Sequence, residues 1–160
     1  MKFFLNGRLC HSQESKQSAQ PLRLLKHQSN QAANVLVVDN DLDNLYLWET
    51  LFEAYGAKVT ACRSVKSALA SLDDCVPDIV VCEVRFLDED VTPLVDRVKN
   101  IAARNDKEIP IMIASTYAFS DFVNCFHHLI AKISAYLRKP IDIDEFIDTA
   151  SDLLNTKRRL

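Results

Sequence analysis

The chain has 160 residues, 48% hydrophobic and 26% charged, with only two glycines and a net charge of −3; that length suits one ordinary domain around a single core. So few glycines exclude the Gly-rich phosphate loops of P-loop and dinucleotide-binding proteins. Residues 1 to 33 carry five Lys/Arg against Glu14 alone, a local +4 that leaves −7 on the remainder, and an acidic body of that kind argues against direct nucleic-acid binding.

"MKFFLNGRLC" starts as a signal peptide would, but Asn6, Gly7 and Arg8 cut the apolar stretch short. No later run approaches membrane-spanning length. The Gln/Ser-rich stretches at 11 to 20 and 27 to 33 have little to bury, so residues 1–33 are expected to form a flexible basic arm.

Regular patterning begins at Asn34. "NVLVV" (34 to 38) is a continuous apolar, β-branched run, the mark of a strand covered on both faces. Leu45, Trp48, Leu51, Phe52 and Tyr55 then recur at helical spacing, and Gly56 supplies the stop. "KVTAC" (58 to 62) predicts a second strand, and Ser64 can cap a helix that turns Val65, Ala68, Leu69 and Leu72 inward. The third strand, 78 to 82, lies in "PDIVVCEV" and runs into Glu83.

After an acidic loop, Thr92 and Pro93 read as a cap and a first-turn proline for a third helix, with Leu94, Val95, Val98, Ile101 and Ala102 facing the core. "IPIMIAS" (109 to 115) predicts the fourth strand. Phe119, Phe122, Val123, Phe126, Ile130 and Ile133 mark one face of a fourth helix. "SAYLRK" makes a fifth strand, a helix over 142 to 155 closes the domain, and 156–160 remain as a short basic tail.

Five strands alternating with five helices require a parallel sheet, because each right-handed crossover lays a helix against a face. The predicted fold is α/β, doubly wound. In such sheets ligands bind at the carboxyl ends of the strands, near the switch point of the strand order. Those ends carry Asp39, Asn40 and Asp41 after the first strand, Glu83 after the third, Ser115 and Thr116 after the fourth, and Lys139 and Pro140 after the fifth. Any one polar strand end needs no explanation beyond solvent. Acids, a hydroxyl and a lysine converging on one edge are less readily explained by solvent alone.

Residues 34–155 resemble the receiver domain of two-component response regulators, whose sheet is five-stranded and flavodoxin-like in the order 2-1-3-4-5. "VLVVDND" resembles the family's first-strand acidic pair and "PDIVVCEV" its phosphoacceptor strand. "IPIMIAST" is similar to the strand that ends in the switch hydroxyl, and "YLRKP" to the strand with the switch aromatic, the lysine and its proline. The resemblance implies that Glu83 stands at the phosphoacceptor position. It also implies that Ser115, Thr116, Tyr136, Lys139 and Pro140 form the switch and phosphate site, and that Mg²⁺ would be held by acids at the edge, here Asp39, Asp41 and Glu83 as a weakened set.

Two departures from the family pattern touch the chemistry. The acceptor, normally aspartate, is Glu83, and the second acid of the pair aligns with Asn40. One extra methylene moves a carboxylate by about 1.5 Å, and displacements of about 1 Å cost about 10²-fold where reaction depends on alignment. Asparagine keeps an oxygen but removes a charge; Asp41, one residue on, either compensates or caps the first helix. Glu83 therefore has three readings: a weak stand-in for an aspartyl phosphate reaching toward Lys139 and Ser115, an ion pair with Lys139 in an inert scaffold, or a working acceptor. The acidic loop departs as well, with Leu87 and Val91 where the family usually has proline and glycine.

The functional expectation is a stand-alone pseudo-receiver that signals through protein contacts without phosphorylation. Its partners would be a histidine kinase, a phosphotransfer protein or a homodimer formed through the fourth helix, fifth strand and fifth helix. A conventionally phosphorylated regulator using Glu83 is the alternative. A third reading, a haloacid-dehalogenase-like phosphatase with Asp39 as nucleophile and Asp41 as acid/base, also fits "VVDND". The five cysteines show neither C-x-x-C nor zinc-ligand spacing, which fits a reducing, cytoplasmic setting. Cys62 and Cys82 are expected as small core residues, and His127 and His128 as surface groups.

Overall fold

A computed structural model of the chain describes residues 3–4 and 31–156. Five parallel strands form its centre: β2 (Asn34–Val38), β3 (Lys58–Cys62), β4 (Ile79–Cys82), β5 (Ile111–Ser115) and β6 (Ala135–Arg138). Their spatial order, β6-β5-β4-β2-β3, is 2-1-3-4-5 when the parallel strands are counted alone. A sixth strand, β1 (Phe3–Phe4), lies antiparallel to β6. It falls within the segment expected to be a flexible arm, as do residues 31–33, of which Ala33 is buried and accepts from the Lys58 N–H at 2.8 Å; the rest of that expectation, like the basic tail beyond Thr156, concerns residues outside the described ones.

Strand alternation divides the core in two. Leu36, Val38, Val80, Cys82, Ile111, Ile113 and Tyr136 face α2 (Val65–Asp74), α3 (Thr92–Arg104) and α4 (Phe119–Phe126). Val35, Val37, Ile79, Val81, Met112, Ala114 and Leu137 face α1 (Leu42–Ala54) and α5 (Ile143–Asn155). Both sheet faces are thus sealed, which is why β2 after Asn34, β4, and β5 up to Ser115 are continuous apolar runs rather than alternating. Trp48 stacks on Phe146 at a centroid distance of 4.0 Å and fastens α1 to α5.

Local signals set most boundaries. Ser64 caps α2 in a reciprocal capping box with Ser67. Gly56, at φ 81, turns the chain from α1 toward β3, a conformation that costs residues with a Cβ. Two expectations need correction. Thr92 is the first residue of α3 rather than its cap: Val91 holds the cap position without a side-chain bond, while Asp90 accepts from the Thr92 N–H at 2.8 Å. The fourth helix ends at Phe126, and the chain tightens into a 3₁₀ segment over His127–Lys132. Leu129 and Ile133 are buried all the same, because spacings of three and four residues keep one face inward in either geometry.

Candidate functional site

Backbone register delivers three charged side chains to one place. Asp39 follows β2 and Glu83 follows β4, and the ladder continues past both strand ends. The Asp39 N–H donates to Cys62 O at 3.1 Å and the Glu83 N–H to Val38 O at 2.9 Å. The Lys139 N–H donates to Ser115 O at 2.8 Å and so carries β6 one residue further along β5. The β2/β4 boundary, where the strand order reverses, therefore presents both carboxylates beside Lys139 at the carboxyl edge.

Lys139 Nζ donates to Asp39 Oδ2 at 2.6 Å and to Glu83 Oε2 at 3.1 Å. Asp39 and Glu83 are 2% and 5% exposed, so these are buried, charge-assisted bonds in a low-dielectric setting. The remaining carboxylate oxygens are also engaged: Asp39 Oδ1 accepts from the Asp41 N–H at 2.9 Å, and Glu83 Oε1 accepts from the N–H groups of Val84 and Arg85 at 2.8 and 3.1 Å. Glu83 thus folds onto its own loop with one oxygen and reaches Lys139 with the other. Burial holds the Asp39 carboxyl above the usual 3.8, opposed by the bonds from Lys139 and Asp41 and reinforced by the charge on Glu83. Burial, with help from both carboxylates, also pushes the Cys82 thiol well up. That suits an inert core residue rather than a redox group.

The other members of the expected site sit as follows. Ser115 is fully buried, and its Oγ accepts from the Tyr117 N–H at 3.4 Å. Thr116 and Pro140 are exposed, and the Lys139–Pro140 bond is cis. Tyr136 points inward at 1% exposure, packed against Phe119 and Phe122, and its hydroxyl donates to Tyr117 O at 2.7 Å. Burial raises this phenol to about 12, with a Ser115 hydrogen bond partly offsetting.

Asp41 is not brought into the cluster. Its Oδ1 accepts from the Asp43 and Asn44 N–H groups, both at 3.0 Å, as the N-cap of α1. Asn40 is exposed. The acids expected as weak metal ligands are therefore split, and no group of three His, Cys, Asp or Glu able to hold a metal ion occurs among the described residues. With the oxygens of Asp39 and Glu83 already accepting from protein donors, this donor set does not fit a magnesium site. The phosphatase constellation fails for the same reason, because an Asp41 that caps a helix is not an acid/base beside Asp39.

Two features of the surrounding loops were not read from the sequence. Glu89 spans back to the start of α2, accepting from the Val65 and Lys66 N–H groups at 2.8 and 3.0 Å, which anchors the loop that also donates to Glu83. Arg85 lies over the Tyr117 ring at 5.8 Å and ties that loop to the one after β5. Both contacts are long-range and leave no local pattern. The neighbouring histidines behave as expected: both are exposed, and His128 Nε2 lies 2.9 Å from Thr92 Oγ1. Cys62 and Cys82 are free and buried on strands separated by β2.

An open, doubly wound sheet with two acids, a hydroxyl and a lysine at its switch point defines a class of small α/β domains that work at the carboxyl edge of the sheet. Within that class, the chain belongs to the response regulator receiver domain family, whose sequence profile matches residues 35–151; it is a receiver domain of two-component signalling. The transcriptional regulatory protein ZraR of Salmonella typhimurium is 33% identical over 121 residues, which cover 76% of this chain and 26% of that protein. The chain thus spans about a quarter of ZraR's length. An uncharacterized 14.6 kDa protein of Leptolyngbya boryana is 30% identical, covering 71% of this chain and 84% of that one. Among solved structures, the receiver domain of Francisella response regulator 1452 superposes with a TM-score of 0.63 at 26% identity, covering 78% and 98% of the two chains. No helix among the described residues is long and apolar enough to cross a membrane.

Proposed function

We propose that this receiver domain signals through protein contacts without being phosphorylated, with Glu83 occupying the acceptor position as a fixed structural anion. The observation that carries the reading is the engagement of Glu83: one oxygen takes two backbone N–H donors and the other takes Lys139. A carboxylate so held is a poor nucleophile, since attack requires a free lone pair aligned with the phosphoryl group. The inward Tyr136, bonded to Tyr117 O, and the Arg85 clasp over Tyr117 support a single fixed arrangement of the α4, β6 and α5 surface. A signalling protein, in the first instance a histidine kinase or phosphotransfer protein, is the partner that surface would take.

The test is the intact mass of the protein after incubation with acetyl phosphate and Mg²⁺, beside Glu83→Gln and Glu83→Asp. Unmodified wild type and Gln variant with an adduct on the Asp variant support the reading. An adduct on the wild type that Gln abolishes would make Glu83 a working acceptor and overturn it.

A further inference from the structure

Helix α3 ends by folding back on itself. Asp106 takes up φ 46, a left-handed conformation that a short polar side chain tolerates, and the Asp106 and Lys107 N–H groups donate to Ala103 O and Ala102 O at 3.4 and 2.9 Å. The reversal brings residues 107–109 back beside the last turns of the helix, just before β5 begins. Lys99, Ala102 and Ala103 share one helical face by their spacing, and with Lys107, Glu108 and Ile109 they line a cleft of about 440 Å³. That volume falls within the range of about 300–1,000 Å³ common to small-ligand sites. The cleft lies at the amino edge of the sheet, at the other end of the strands from Glu83.

Lys99 stands apart from the other described lysines. Lys107, Lys132 and Lys139 are held in ion pairs, and Lys58 and Lys66 are exposed. Lys99 is half-buried, yet its ammonium has no hydrogen bond or ion pair among the described residues. Burial without a partner disfavours the charged form and holds this amine below the usual 10.5, with the charge on Glu108 partly opposing. Lys107, on the same cleft, is fixed elsewhere: its Nζ donates to Asp78 Oδ1 at 2.6 Å and to Pro77 O at 3.3 Å.

We propose that Lys99 is an acylation site, and that the cleft beside it admits small acyl thioesters as donors. The inference is independent of the reading of Glu83. An amine is a nucleophile only as the free base, the form that a half-buried, unpaired site favours. The neutral Nζ lone pair forms a bond to the acyl carbon and the C–S bond breaks. The thiolate leaves with that electron pair and takes the proton that the nitrogen sheds, so the products are an amide and a free thiol with nothing oxidised or reduced. Ala102, Ala103 and Ile109 give the acyl group an apolar wall. The neutral amide also removes a charge that was half-buried without a partner.

The experiment incubates the full chain with N,S-diacetylcysteamine near neutral pH, strips acyl groups from cysteine with a thiol wash, and follows each lysine by peptide mass. Lys58 and Lys66 are references within the same molecule. Acetyl-lysine is expected to form at Lys99 at least about threefold faster than at either, because more of its amine is free. Ala103→Leu fills the cleft from an exposed position with a good helix former. It should bring the rate at Lys99 down to that of the references without changing theirs. In urea, where the cleft is lost, the preference should vanish. A Lys99 that reacts no faster than Lys58 and Lys66, a preference that survives Ala103→Leu, or one that persists in the unfolded chain would each overturn the proposal.

Discussion

Replacing Lys139 by methionine keeps the length and apolar stem of the side chain and removes its charge. Two carboxylates, 2% and 5% exposed, would then face each other without the ammonium that now lies 2.6 and 3.1 Å from their oxygens. Removing one partner of a buried ion pair costs about 3–5 kcal/mol, because the charge left behind stays desolvated. For a chain of this size each kcal/mol moves the melting temperature by about 2–4 °C, so a fall of roughly 6–20 °C is expected near neutral pH. Asp39 already sits above 3.8 through burial, and losing Lys139 removes its hydrogen bond and its charge, two of the three influences that oppose the shift, leaving the Asp41 N–H bond. A folded state that holds a proton the unfolded state has released loses stability as pH rises, so the variant's deficit should shrink as pH falls toward 4 or so. Urea unfolding followed by circular dichroism, run on both proteins at neutral pH and near pH 5, measures this. A deficit under about 1 kcal/mol, as for a solvent-screened surface pair, or one independent of pH, would refute the buried-triad argument.

Other expectations follow from the same contacts. Asp39→Asn removes a group whose folded value is raised, so its stability relative to wild type should improve as pH rises from about 4 through the raised value; a constant difference in pH-dependent urea unfolding would contradict the assignment. Tyr136→Phe deletes the hydroxyl bond to Tyr117 O, at a cost of about 1 kcal/mol. In an ultraviolet titration it should also remove the phenol that ionises at about 12. Glu89→Ala leaves the Val65 and Lys66 N–H groups without their acceptor. A loss of about 0.5–2 kcal/mol is expected from the helix start, with faster hydrogen exchange at those two amides.

The parts of the fold that sequence conveys well are those governed by local periodicity. "NVLVV" and "IPIMIAS" announce doubly covered strands, and Ser64 announces its helix through its own hydroxyl. The site's edge was legible because polar residues interrupt apolar runs at Asp39, Glu83 and Lys139. Less legible was whether a given acid faces the pocket or the helix behind it. Asp41 chose the helix, since its Oδ1 satisfies two otherwise unpaired N–H groups of α1. The turn to 3₁₀ geometry at His127 was hidden because positions three apart share a face in both helix types. Glu89, Arg85 and the β1 strand act over long sequence separations, and β1 is a two-residue strand inside a segment read as a flexible arm.

On the proposed reading of Glu83 and Asn40, the two residues act in one direction. Asn40 takes one negative charge from the edge, and the longer Glu83 side chain lets its carboxylate meet Lys139 while accepting from its own loop. Two acids and one lysine in direct contact leave little unbalanced charge, and the oxygens of both acids are already engaged. Restoring aspartate at position 83 alone should therefore free an acceptor without rebuilding the acidic edge around it. Adding Asn40→Asp returns the missing charge beside that acceptor. The double variant Glu83→Asp, Asn40→Asp should accordingly form the acetyl phosphate adduct at least about tenfold faster than Glu83→Asp alone, since about 1.4 kcal/mol of charge stabilisation is worth that factor. The time course of the mass shift in the presence of Mg²⁺ reads the ratio directly. Equal rates would mean that the amide at position 40 costs the chemistry nothing, and that the extra methylene of Glu83 alone accounts for the altered site.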